Sequence, residues 1–182
     1  MTRREIRIAG FGGQGVITAG YVLANAAAIH DGQYALMTQS YGPEARGGSC
    51  KSDIITSDEP IDYPKISSPD CLVAMSIDAF TTFVGSVMDR GVVVYEDSLV
   101  DISKNYMDSN KKYHGIPAVA TANDLGNPLA ANMVMLGAVQ VFTGVVKAEA
   151  LEASISDRFP KRKELNLKAL QRGIELGRAQ LR

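Results

Sequence analysis

The chain of 182 residues is 46% apolar and 21% charged with a net charge of −1, enough apolar content for one well-buried domain spanning 1–182. That balance argues against a disordered chain, a nucleic-acid partner or attachment to a membrane surface. Charge is unevenly placed, since residues 158–182 hold eight Lys/Arg against two Glu while the rest holds 11 basic against 18 acidic residues. This tail reads either as a solvated helix face or as a docking surface for an acidic partner subunit.

In chain order, Ile6–Ala9 is expected as a short strand ending in glycines. Gln14–Ile29 is apolar on nearly every side, which predicts a buried helix rather than an amphipathic one, stopped at Asp31-Gly32. Tyr34–Gln39 is a second strand and Ser40–Gly48 a Gly/Pro-rich loop. Lys51–Thr56 alternates polar and apolar residues, the pattern of a half-exposed strand. Pro60, Pro64 and Pro69 punctuate an irregular connection before the apolar strand Cys71–Met75. Ser76 is placed as a helix N-cap with Asp78 near the positive helix end, followed by Ala79, Phe80, Phe83 and Val87 at helical spacing and a stop at Gly91. Val92–Tyr95 is another buried strand, and Pro117–Ala122 is expected as the last. Asn127-Pro128 opens a long apolar helix to about Val145. Helices near Ala148–Asp157 and Lys161–Leu181 close the chain.

Continuous apolar strands alternating with helices predict an α/β fold: a three-layer, mostly parallel, Rossmann-like sheet with helices on both faces. Cys50 and Cys71 lie far apart with no second cysteine near either. That excludes a Cys-x-x-Cys metal or redox pair and an all-cysteine cluster within this chain, and favours buried free thiols. The absence of a disulfide framework fits a reducing compartment. Met1–Glu5 lacks the apolar stretch of a signal peptide, and no segment approaches the roughly 20 apolar residues that span a bilayer. A cytoplasmic protein is expected.

Gly10-Phe11-Gly12-Gly13-Gln14-Gly15 has dinucleotide-loop spacing between a strand and a helix. Glycines let the backbone approach an anion, and the helix start offers unpaired N–H groups. The acidic residue that would hold a nicotinamide ribose is missing after the second strand, which runs into Gln39-Ser40-Tyr41. No Gly-Lys-Ser/Thr follows, so a Walker-type loop is absent. An anion-friendly turn and a tight junction needing glycine for packing alone both remain open. In Ser40–Gly48, Tyr41 offers a flat face with a hydroxyl and Arg46 a forked donor; the alternative is an Arg46–Glu44 surface pair. The two loops are expected as neighbours at the carboxyl ends of the strands. Asn132 either faces that crevice or bonds a backbone group. His30 and His114 lack partners at metal spacing and read as surface or core residues. Leu167, Leu170, Ile174, Gly177 and Leu181 form a narrow stripe suited to core packing.

Together these segments resemble the gamma subunit of the 2-oxoacid:ferredoxin oxidoreductases. The resemblance is carried by Gly10–Val16, Gln39–Gly48, Asp70, Gly126-Asn127-Pro128, Asn132–Ala138, Phe159-Pro160, Leu165-Asn166 and Ala169. The compact length and the Ser-Tyr-Gly-Pro-Glu-Ala-Arg-Gly-Gly wording look most like the 2-oxoglutarate branch. The resemblance implies a complex that decarboxylates a 2-oxoacid on thiamine diphosphate and magnesium. Electrons then pass through [4Fe–4S] clusters to ferredoxin, and the acyl group leaves as succinyl-CoA. It implies alpha and beta partner subunits, with a delta subunit in some assemblies, and no tightly held cofactor, catalytic group or metal in this chain. The residues placed at a coenzyme A or active-site edge are Gly10, Gly12, Gly13, Gln14, Gly15, Ser40, Tyr41, Arg46, Gly47, Gly48 and Asn132. Pyruvate, branched-chain or indolepyruvate relatives, a free-standing nucleotide-binding protein and a pure assembly protein remain as alternatives.

Overall fold

The computed structural model of the chain describes residues 3–43, 47–98 and 108–182. Six strands, β1 (Arg4–Phe11), β2 (Tyr34–Tyr41), β3 (Ser49–Ser57), β4 (Cys71–Ala74), β5 (Val92–Glu96) and β6 (Lys112–Ile116), form one sheet of order β2-β3-β1-β4-β5-β6. The pairs β1–β4, β4–β5 and β5–β6 are parallel, while β3 runs antiparallel to both β1 and β2. Five strands therefore point one way, and the mostly parallel α/β architecture stands. The helices are α1 (Val16–Asn25), continued by a π-helical turn at Ala26–His30, α2 (Ile77–Phe83), α3 (Ala118–Asp124), α4 (Ala131–Thr143), α5 (Ala148–Arg158) and α6 (Lys163–Gln180).

Alternate side chains of the central strands serve different layers, as period-2 geometry requires. Ile6, Ile8, Cys71 and Val73 join the large core beneath α1 and α4. Ala9, Leu72, Ala74 and Val93 pack on the opposite face against Phe80 of α2. Ser76 caps α2 as its sequence position predicts, its Oγ accepting the Ala79 N–H at 3.2 Å. The α4 helix ends two residues early, at a left-handed Gly144 with φ 60°. In the α6 stripe Leu170, Ile174 and Gly177 are buried, whereas Leu181 is exposed. Both cysteines are free and buried; burial pushes the Cys50 thiol up, and burial together with the Asp70 charge takes Cys71 to about 12.

Three expectations need correction. The helix after Ser76 does not run to Gly91: it ends at Phe83, followed by a 3₁₀ turn at Val84–Ser86, and Val87 is already extended. The segment 51–56 is not half-exposed: β3 lies between β1 and β2 and is buried from Ser52 to Ser57. Its polar alternation comes from Asp53, which is paired inside the protein, and from Ser52 and Thr56, whose hydroxyls lack a partner in the interior. Residues 118–124 are helix, and the last strand is the preceding Lys112–Ile116. The start of α3 is secured by Glu96 at the end of β5, whose Oε2 accepts the Val119 N–H at 2.9 Å. A cap supplied from 23 residues away leaves no mark on the local pattern.

The axes of α4 and α6 approach closely at glycines. A Cβ on Gly137 would fall on the Leu170 carbonyl, and one on Gly173 on the Val134 carbonyl. Among the described residues no helix is long and apolar enough to cross a membrane.

Candidate functional site

β1 delivers the chain into the first turn. Gly12 donates its N–H to the Gly48 carbonyl at 2.8 Å, so the glycine turn and the β2–β3 hairpin are joined backbone to backbone. The route differs from that expected of a purely parallel sheet. The hairpin reaches β1 because β3 starts beside its end, with Ser49 opposite Phe11. Ser40 and Tyr41 belong to β2 rather than to the loop, and Gly42 closes the hairpin by donating to the Ser49 carbonyl at 2.7 Å. Tyr41 is 64% exposed. Gly47 takes φ +69°. Arg46 and Glu44 lie outside the described residues.

Gln14 holds the turn from within. Its Oε1 accepts the Phe11 N–H at 2.7 Å and its Nε2 donates to the Met75 carbonyl at 2.8 Å, which ties the turn to the end of β4. The side chain fills the space beside Gly10, where a Cβ would collide with it. Gln14→Leu is expected to cost about 1–3 kcal/mol, because two backbone groups lose their partner. An unchanged urea midpoint for that variant would show that the turn holds itself.

Gly13 and Gly15 adopt φ +97° and +76°, conformations that a Cβ resists. Gly13 is exposed, with nothing near its missing Cβ, while Gly15 occupies the N-cap position of α1 without a side-chain cap. The turn thus presents bare backbone to the outside at the positive end of α1. Asn132 stands behind it: the residue is buried, and its Nδ2 donates to the Gly15 carbonyl at 3.1 Å. Of its two sequence readings the structure shows the backbone bond, so Asn132 positions the turn rather than lining its open side.

On the α2 face a cleft of about 200 Å³ lies between Gly10, Phe11, Tyr41, Lys51, Asp78 and Phe83. Sequence reading missed Lys51 and the cluster beneath it. Lys51 Nζ contacts Asp53 Oδ2 at 2.6 Å, and Arg7 grips the same carboxylate with Nε at 2.7 Å and Nη2 at 2.9 Å. Arg7 also lies over the Phe83 ring at 4.9 Å. Burial opposes the Asp53 charge, yet the hydrogen bonds and charges of Arg7 and Lys51 outweigh it and hold the carboxyl below its ordinary value. The visible signal was a Lys-Ser-Asp run inside a strand that otherwise reads apolar.

His30 finds Asp157 at 3.0 Å across the fold, and His114 stacks on Phe142 with 3.7 Å between ring centres. Among the described residues no group of three or more His, Cys, Asp or Glu is arranged to hold a metal ion. The chemistry on offer at this edge is recognition: exposed backbone donors, an exposed phenol and a cleft.

Known proteins resemble this chain over almost its whole length. The family model for pyruvate ferredoxin/flavodoxin oxidoreductases matches residues 5–176. The 2-oxoglutarate synthase subunit KorC of Methanothermobacter marburgensis is 48% identical over 179 residues, covering 96% of each chain. The gamma subunit of a keto/oxoacid ferredoxin oxidoreductase from Geobacter sulfurreducens is 38% identical and superposes with a TM-score of 0.87, covering 98% of each chain. The 2-oxoglutarate:ferredoxin oxidoreductase of Magnetococcus marinus, solved with 2-oxoglutarate, coenzyme A and succinyl-CoA bound, is 25% identical with a TM-score of 0.88. That match covers 98% of this chain and 32% of the longer one. With the family model matched over residues 5–176 and a relative 48% identical over 96% of each chain, the chain belongs to the pyruvate ferredoxin/flavodoxin oxidoreductase family.

Proposed function

We propose that this chain is the gamma subunit of a 2-oxoglutarate:ferredoxin oxidoreductase, a cytoplasmic complex that converts 2-oxoglutarate and coenzyme A to succinyl-CoA and CO2. The 48% identity to a 2-oxoglutarate synthase subunit over nearly the whole chain favours that branch. Residues 1–182 act as one domain that has no activity alone. Alpha and beta partners, with a delta subunit where present, carry thiamine diphosphate, magnesium and the [4Fe–4S] clusters and pass electrons to ferredoxin. The donor set here does not suit a cluster: Cys50 and Cys71 sit buried on separate strands with thiols held protonated by burial.

The chain's own contribution is the edge of the coenzyme A site. The observation that carries this reading is the clasp of Gly12 on Gly48, which merges two glycine-rich turns into one exposed surface. Bare backbone at Gly13, the start of α1 and the Tyr41 hydroxyl fit a ligand with phosphates and amides, and Arg46 would add a forked cation. Coenzyme A supplies the thiol that accepts the acyl group. These residues bind and orient it.

The reading is tested in the reconstituted complex by measuring succinyl-CoA formation. Arg46→Ala and Gly13→Ala are each expected to raise the KM for coenzyme A about tenfold, the value of one charge-assisted contact, with assembly and the KM for 2-oxoglutarate unchanged. Wild-type kinetics in both variants, with normal assembly, would remove coenzyme A from this edge.

A further inference from the structure

The basic tail begins at the same end of the sheet as the glycine turns. α4 and α6 run parallel, Val134 beside Gly173 and Val141 beside Gly177. The start of α4 is fastened to Gly15 by Asn132, and the Pro128–Ala130 turn that precedes it packs on α6. Around these two helix starts Leu129 is 69% and Leu165 39% exposed. Lys161, Arg162 and Lys163 are exposed beside them.

Two other cations of the tail are occupied: Arg158 lies over the Tyr21 ring at 5.3 Å, and Arg172 pairs with Glu175. No ion pair or side-chain hydrogen bond engages Lys161, Arg162 or Lys163 among the described residues. Their placement works against folding. Three successive cations sit at the positive end of an 18-residue helix, where the dipole favours anions. Arg162, at the cap position, gives the first turn no side-chain hydrogen bond, whereas Ser or Asp there would. Glu164 is the acidic residue of that first turn and offsets part of the charge, so the free subunit carries a net positive cluster beside two exposed leucines.

We infer that Leu129, Leu165 and the Lys161–Lys163 cluster form a docking surface for an acidic face of a partner subunit, one with an apolar centre. The inference rests on the subunit reading above. A second copy of the chain would bring like charge against like charge. A nucleic acid would leave the leucines without an apolar counterpart. An acidic protein face relieves both the charge and the apolar exposure, and it would lie next to the coenzyme A edge.

The experiment titrates the purified chain against the purified remaining subunits of its complex by calorimetry, at low and high salt. Charge reversal at Lys161, Arg162 and Lys163 to Glu is expected to weaken association at least tenfold at about 0.1 M salt. The gap should narrow at about 0.5 M, as screening shortens the reach of the cluster. Leu129→Ser should weaken association equally at both salts, and Arg178→Glu, at the far end of α6, should change it less than twofold. Neutralising the three cations to Gln guards against a folding artefact. It should raise the melting temperature of the free chain by about 2 °C while weakening association, two opposite signs that damaged folding cannot produce. Association of the triple Glu variant within twofold of wild type overturns the proposal. So does a raised KM for coenzyme A with intact association, which would assign the cations to the ligand's phosphates. If the wild-type chain fails to associate at all, the subunit reading falls instead.

Discussion

Gly173→Ala is expected to destabilise the chain by about 3 kcal/mol, at the upper end of what overpacking a rigid interior costs. For a domain of this size that corresponds to a fall in Tm of about 6–12 °C. The new methyl group lands on the Val134 carbonyl and its carbon, which belong to the α4 backbone and cannot rotate away. Either the two helix axes separate or one helix distorts. Gly137→Ala meets the Leu170 carbonyl and the Ile174 N–H from the other side. The double variant should lose less than the sum, since one separation relieves both collisions. Thermal unfolding followed by circular dichroism gives the answer, and a Tm within 1 °C of wild type for both single variants would mean that the helices are not held at this distance.

The second large effect lies at Arg7 and Asp53. Asp53→Ala is expected to cost about 3–5 kcal/mol, because Arg7 is left charged inside the sheet. Lys51, part exposed, can turn to water, but Arg7, 6% exposed, cannot. Replacing both partners, Arg7→Met with Asp53→Leu, should recover most of the loss, since a matched apolar pair removes the buried charge altogether. Acid provides an independent reading. The folded-state value of Asp53 is depressed, so the native state binds fewer protons than the unfolded chain near and below the ordinary value of 3.8. Its contribution is complete above that pH and lost as pH falls through the lower folded value. Stability of the wild type should therefore drop more steeply below pH 4 than that of the double variant. Parallel pH profiles of urea midpoints would contradict the assignment.

Local grammar carried much of the fold. The strand–turn–helix of β1 and α1, the Ser76 cap and the Asn127-Pro128 opening were all legible, because each is decided by residues within a few positions of one another. What escaped was decided at long range. β3 is buried because of its place between two strands, which period-2 alternation cannot report, and its polar residues alternate because one of them is an ion-pair partner of Arg7, 46 positions away. The segment 118–124 is helical partly because Glu96 caps it. The candidate site divides in the same way. The turns announced themselves through glycine, and their apposition followed from the sheet, though by an antiparallel neighbour rather than a parallel one. The part played by Gln14 was not visible in the sequence, nor was the choice between two roles for Asn132, since each depends on a carbonyl supplied by a distant element.

The bond between Gly12 and Gly48 is made entirely by the main chain. A substitution that preserves the backbone path leaves it intact, whatever side chain it introduces. An exposed side chain beside it, such as that of Tyr41, can therefore change identity without breaking the bond that frames it. Side-chain identity at this edge is thereby separable from the main-chain bond that holds the edge together.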